Sequence, residues 1–133
     1  LEGVFARHAA WGAAARAGLR AMGFDLFADQ AYASSTVTSA HVPADVEWSG
    51  LIVELRARGL ELAGGQVTRR GVLVRFGHLG DVSVGDIVRA LEVLEDGAAA
   101  AGLDLERGVG PAAARRAGEE HSLSSLPATP AGA

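Results

Sequence analysis

Gly64-Gly65-Gln66-Val67-Thr68-Arg69-Arg70-Gly71-Val72-Leu73-Val74-Arg75-Phe76-Gly77-His78-Leu79-Gly80 is the stretch in which glycines, cations and a short apolar run occur together. Residues 72–76 predict a strand with one arginine near its middle. Side chains alternate across a strand, so Leu73 and Arg75 share one face while Val74 and Phe76 share the other. An arginine in such a run either lies on the solvent side of its sheet or faces an anion, which is a structural carboxylate or the acidic group of a ligand. The loop at 64–71 has two readings as well. It is a hairpin with solvated arginines at its tip, or a cradle whose backbone N–H groups point at an anion. It has neither the G-K-S/T ending of a P-loop nor G-x-G-x-x-G at a strand-to-helix junction.

Outward from that stretch, Val4, His8, Trp11, Ala15, Leu19 and Met22 step by three or four, which predicts a long amphipathic helix over 3–22 closed by Gly23. Residues 24–27 alternate as a short strand, and 36–42 are rich in β-branched residues up to Pro43, predicting another. A second helix is expected over 45–59, with Trp48, Leu51, Ile52 and Leu55 on one face, followed by a brief strand at 60–63. Ser83-Val84-Gly85-Asp86 has the capping-box pattern and opens a third helix to about residue 101. Beyond Gly102 no sustained periodicity is visible. The expected organisation is a domain over 1–103 and a low-complexity, loosely ordered extension over 104–133 with at most a helical turn at 112–116. The order of elements predicts an α+β fold, a small and mainly antiparallel sheet with helices packed on one face.

Composition narrows the chemistry. The 133 residues carry a net charge of -4, which argues against a nucleic-acid surface. There is no cysteine, hence no disulfide or thiolate site. The histidines at 8, 41, 78 and 121 show no short ligand spacing, so no metal is expected. His78 reads either as a base or ligand anchor or as a hydrogen-bonded structural residue, and Glu92, Glu95 and Asp96 read as a solvated helix face. No signal peptide or membrane span is evident after Leu1, so the expected location is cytoplasmic. All twelve basic residues are arginine, and lysine is absent.

The Gly64-Gly65-Gln66 start, the spacer and the Arg75-Phe76-Gly77-His78-Leu79-Gly80 ending resemble the C-terminal domain of class V aminotransferases of the alanine-glyoxylate and serine-pyruvate type, which are fold type I pyridoxal-phosphate enzymes. Ser34-Ser35-Thr36-Val37-Thr38 and the Val42-Pro43 step add to the likeness, which covers residues 1–103. Val67 and Val72 depart from it, standing where the family often has glycine and lysine.

The resemblance implies that Arg75 binds the α-carboxylate of amino-acid and 2-oxo-acid substrates, with Gly64, Gly65, Gln66 and His78 as candidate loop contacts. It implies amino transfer from a small amino acid such as alanine or serine to glyoxylate or pyruvate, with pyridoxal 5'-phosphate as cofactor and a homodimer as the full-length form. A transaminase of this type holds its cofactor through a lysine, and this chain has none. The chain is therefore expected to be part of a longer enzyme, with no catalytic residue of its own. The alternative is a non-catalytic α+β binding or interaction module that keeps the fold.

Overall fold

The computed structural model describes residues 1–65 and 72–124. The first helix, α1 (Glu2–Ala21), buries Trp11, Ala14, Ala15, Gly18 and Leu19, which recur every three or four residues and so form one stripe. Gly23 ends it at φ +88°, a conformation that strains any residue with a Cβ. Its N–H reaches the Arg20 carbonyl at 3.1 Å, and the N–H of Phe24 reaches that of Leu19 at 3.0 Å. This closure turns Phe24 back into the core, where it is 1% exposed. The second and third helices, α2 (Trp48–Ala57) and α3 (Val84–Ala100), end through Gly59 and Gly102 in the same way, returning Leu60 and Leu103 to the carbonyls of Leu55 and Ala98. At the start of α3 the Ser83 hydroxyl accepts the Asp86 N–H at 3.1 Å while the Asp86 carboxylate accepts the Ser83 N–H at 2.8 Å, a complete capping box.

The sheet has three antiparallel strands, β1 (Val37–His41), β2 (Ala63–Gly64) and β3 (Leu73–Gly77), in the order β1-β3-β2. Thr38, Ala40, Val74 and Phe76 are buried, and the last three join the core formed with α1, α2 and α3. The α+β architecture is thus the expected one. Two strands differ in detail. Residues 24–27 form only a bridge, Leu26 to Ala40, because the Asp29 carboxylate accepts the Ala31 N–H and draws the chain into a 3-10 turn at Gln30–Tyr32. The strand expected over 60–63 begins only at Ala63, because Leu60 is still bonded to the end of α2.

The largest departure is the extension. Residues 109–124 form a fourth helix, α4 (Val109–Ser124), packed chiefly on α1 and also on α3, where only a loosely ordered segment is expected from the sequence. Its contact face is Gly110, Ala114 and Gly118, four residues apart, set against Ala14 and Gly18 of α1. A Cβ at Gly18 would meet the Gly110 carbonyl at 3.1 Å, and one at Gly118 would lie 3.0 Å from Val84. The backbones of α1 and α4 come close at Gly18 and Gly110, and the side chains of Met22, Leu91 and Val84 pack directly on the glycines of this interface. Residues 125–133 lie outside the described residues.

Candidate carboxylate-binding site

Arg75 sits in the middle of β3, the central strand, with Ser39 of β1 opposite it on one side and Ala63 of β2 on the other. Because Val74 and Phe76 point into the core, Arg75 projects from the opposite face of the sheet and is partly buried. Its Nε donates to the Gly64 carbonyl at 3.0 Å. Among the described residues its two Nη groups have no partner. Beside it lies an open cleft of about 340 Å3, which includes Glu61 and Asp86 among its lining residues. Both carboxylates are engaged elsewhere. Glu61 pairs with Arg56 at 3.2 Å, and Asp86 is held by Ser83, whose hydrogen bonds push its pKa below the ordinary 3.8. The choice left open by the sequence, a structural carboxylate or a ligand's anionic group, therefore narrows: no described carboxylate neutralises Arg75.

The candidate loop contacts separate. Gly64 supplies the carbonyl that tethers Arg75, and the Gly65 N–H is already committed to the Leu73 carbonyl at 2.9 Å, so that amide is not free to cradle an anion. Gln66 lies outside the described residues, as do the positions through 71 on which the anion-cradle reading also rests. His78 is fully buried, its Nε2 2.9 Å from the Thr38 hydroxyl. Its Nδ1 has no hydrogen-bond partner among the described residues.

Burial pushes the His78 pKa below its ordinary 6.5; the nearby Ser35 backbone opposes this in part, and Arg16 adds to it. The unfolded chain thus takes up a proton at His78 below about pH 6.5 while the fold resists it. The stability due to the neutral ring is full above that pH and is lost as pH falls towards the depressed folded value. Urea unfolding of the wild type should weaken between pH 7.5 and 5 more steeply than that of His78→Asn, and equal slopes would rule His78 out as the source.

Three residues carry more than their sequence pattern suggests. Thr38 reads as one of several β-branched strand residues, yet it is the partner of His78. Trp48 reads as one apolar position of α2, yet its ring lies against Gly64. Glu95 differs from the expected solvated face: it is 3% exposed and accepts the N–H groups of Gly108 at 2.8 Å and Gly110 at 2.9 Å. Its position between Leu91 and Ala98 on the buried stripe was the available signal. Glu92 and Asp96 do sit in exposed ion pairs, with Arg115 and Arg107. Among the described residues no group of three histidines or carboxylates could hold a metal ion, and no helix is long and apolar enough to cross a membrane.

Fold and site together define a small α+β domain that presents, on the outer face of its sheet, a tethered arginine that no described carboxylate neutralises. No family model matches the chain. Among curated proteins, the small subunit of a soluble hydrogenase from Synechococcus sp. is 36% identical over 118 residues, covering 87% of this chain and 30% of that protein. Pyridoxamine–pyruvate transaminase from Mesorhizobium japonicum is 37% identical over 116 residues, covering 85% of this chain and 30% of the enzyme. Of solved structures, pyridoxamine–pyruvate aminotransferase from Mesorhizobium loti matches at a TM-score of 0.83 and 34% identity, over 90% of this chain and 31% of that one. Ureidoglycine–glyoxylate aminotransferase from Bacillus subtilis matches at 0.78 and 28% identity, over 85% of this chain and 30% of its own. Relatives and structural neighbours of the chain are thus aminotransferases, and the part of their length that it matches is consistent with a C-terminal domain of class V enzymes. The chain spans about 30% of the length of these relatives.

Proposed function

We propose that this chain is the substrate-carboxylate-binding domain of a pyridoxal-phosphate-dependent aminotransferase that moves an amino group from a small amino acid to a 2-oxo acid. The observation that carries the reading is Arg75, held by Nε and, among the described residues, without a partner at either Nη group. A guanidinium fork matches a carboxylate in two parallel bonds, and holding the one group that different substrates share is how a transaminase accepts several. The two aminotransferases reported above are named for different donors, pyridoxamine and ureidoglycine, yet both are named for a 2-oxo acid, pyruvate or glyoxylate. That common acid is what Arg75 suits. Alanine or serine as donor, and a homodimeric full-length enzyme, complete the proposal.

The cofactor does not fit this chain by itself. Pyridoxal phosphate is anchored through a lysine amine and supplies the electron sink for the Cα bond that breaks. With no lysine among the 133 residues, the anchor in this proposal lies outside the chain. The contribution of this chain is binding and orientation: Arg75 fixes the carboxylate and thereby the direction of the Cα–H bond. The hydrogenase name of one relative suggests a different chemistry. With no cysteine, this stretch offers no thiolate to a metal cluster, which favours the transaminase reading.

Titrating pyruvate or glyoxylate into the chain while following the side-chain N–H signals of Arg75 tests this. Saturable displacement is expected with either acid and none with methyl pyruvate, which keeps the ketone and loses the charge. Equal responses to acid and ester, or none to either, would leave the non-catalytic interaction module as the better description.

A further inference from the structure

We propose that Trp48 is a positioning residue for Arg75, acting through the Gly64 carbonyl; this rests on the reading of Arg75 as the carboxylate-binding group. Since that carbonyl is the one partner of Arg75 among the described residues, the direction of the free Nη fork depends on where β2 lies. Yet β2 is two residues long and sits at the sheet edge, too short to fix its own place firmly by ladder bonds alone.

The support comes from below. A Cβ placed on Gly64 would lie 2.9 Å from Cζ2 of Trp48, 3.4 Å from Cε2 and 3.6 Å from Cη2, so the Gly64 backbone rests against the six-membered part of the indole at a distance no side chain permits. Trp48 opens α2, whose Leu51 and Leu55 are fully buried, and the ring is therefore fixed to the core. Around it lies an open cleft of about 640 Å3 bordered by Ile52, Arg56 and Gly64. The path is one of contact, from the core through Trp48 to Gly64 and from its carbonyl to Arg75. A tryptophan that only filled space would affect stability and leave the guanidinium where it is.

The test follows the Arg75 Nε–H in the 133-residue chain by its exchange with solvent, alongside pyruvate titration and the thermal midpoint. Trp48→Ala is expected to speed that exchange about tenfold, the factor for one net hydrogen bond, and to weaken pyruvate while the amides of α1, α3 and α4 stay dispersed. Trp48→Phe, which keeps an aromatic ring, should lie nearer the wild type. Gly64→Ala, which forces the strand off the ring without touching the core, should reproduce Trp48→Ala and carries the test if that variant fails to fold. Unchanged Nε–H exchange in Gly64→Ala, or in a folded Trp48→Ala, overturns the proposal. Faster exchange in both variants, in a wild type whose Arg75 ignores pyruvate, would uphold the linkage and reject the carboxylate reading instead.

Discussion

Replacing Arg75 with alanine is expected to lower kcat/KM for a 2-oxo acid by roughly 100-fold or more in the aminotransferase proposed above. The size follows from the chemistry of the fork. Each charge-assisted hydrogen bond to a carboxylate contributes about 1.5 to 3 kcal/mol, and two are lost together. Arg75→Lys keeps the charge but not the planar pair of donors, so it should recover only part of the loss, leaving roughly a tenfold deficit. In the isolated chain the same substitutions should remove the pyruvate response. A lysine variant as active as the wild type would mean that Arg75 acts as a general positive charge, and an active alanine variant would exclude it from the site.

Glu95→Ala is expected to lower the stability of the chain by about 2 to 5 kcal/mol, because it strands the backbone N–H groups of Gly108 and Gly110 in a largely dry position. These amides lie at the start of α4, where a negative charge is favourable. Glu95→Gln retains one acceptor oxygen but turns an NH2 group towards an N–H, so it should fall between the two. The urea midpoint measures the effect, and hydrogen exchange should locate it in α4. A midpoint unchanged in Glu95→Ala would show that water replaces the carboxylate at both amides.

These two side chains also mark the boundary of what the sequence makes legible. The helices α1, α2 and α3 announce themselves through apolar residues three or four apart and through Gly23, Gly59 and Gly102 just past their ends. The capping box at Ser83 and the strand faces of β3 are local patterns and are equally readable. Arg75 stands out as a candidate because a cation in an apolar strand calls for a partner. Its tether does not, since pairing Gly64 with Val74 depends on the register of two strands that are not continuous in sequence. The helix α4 escapes a reading based on large apolar residues, because its buried positions among the described side chains are Gly110, Pro111, Ala114 and Gly118. Glycine and proline read as breakers, yet here they lie in the first turn of a helix or where two backbones touch. Glu95 is misread for a related reason: a carboxylate within an acidic group looks solvated until the amides it serves, more than ten residues further on, are known.

The seam between α1 and α4 has one more consequence, which concerns side-chain freedom. Alanine and glycine have no rotamers to lose, whereas a buried methionine or other long side chain gives up as much as about 2 kcal/mol on ordering. Ala14, Gly18, Gly110 and Gly118 thus have no side-chain motion of their own to release when the seam opens, and what is released there comes from neighbours such as Met22, which packs on Gly110. Heat acts through the freedom that unfolding liberates. At these positions it gains little from side chains and much from the backbone, because glycine is released into more conformations than any other residue, so the thermal balance of this seam lies in the main chain rather than in the side chains.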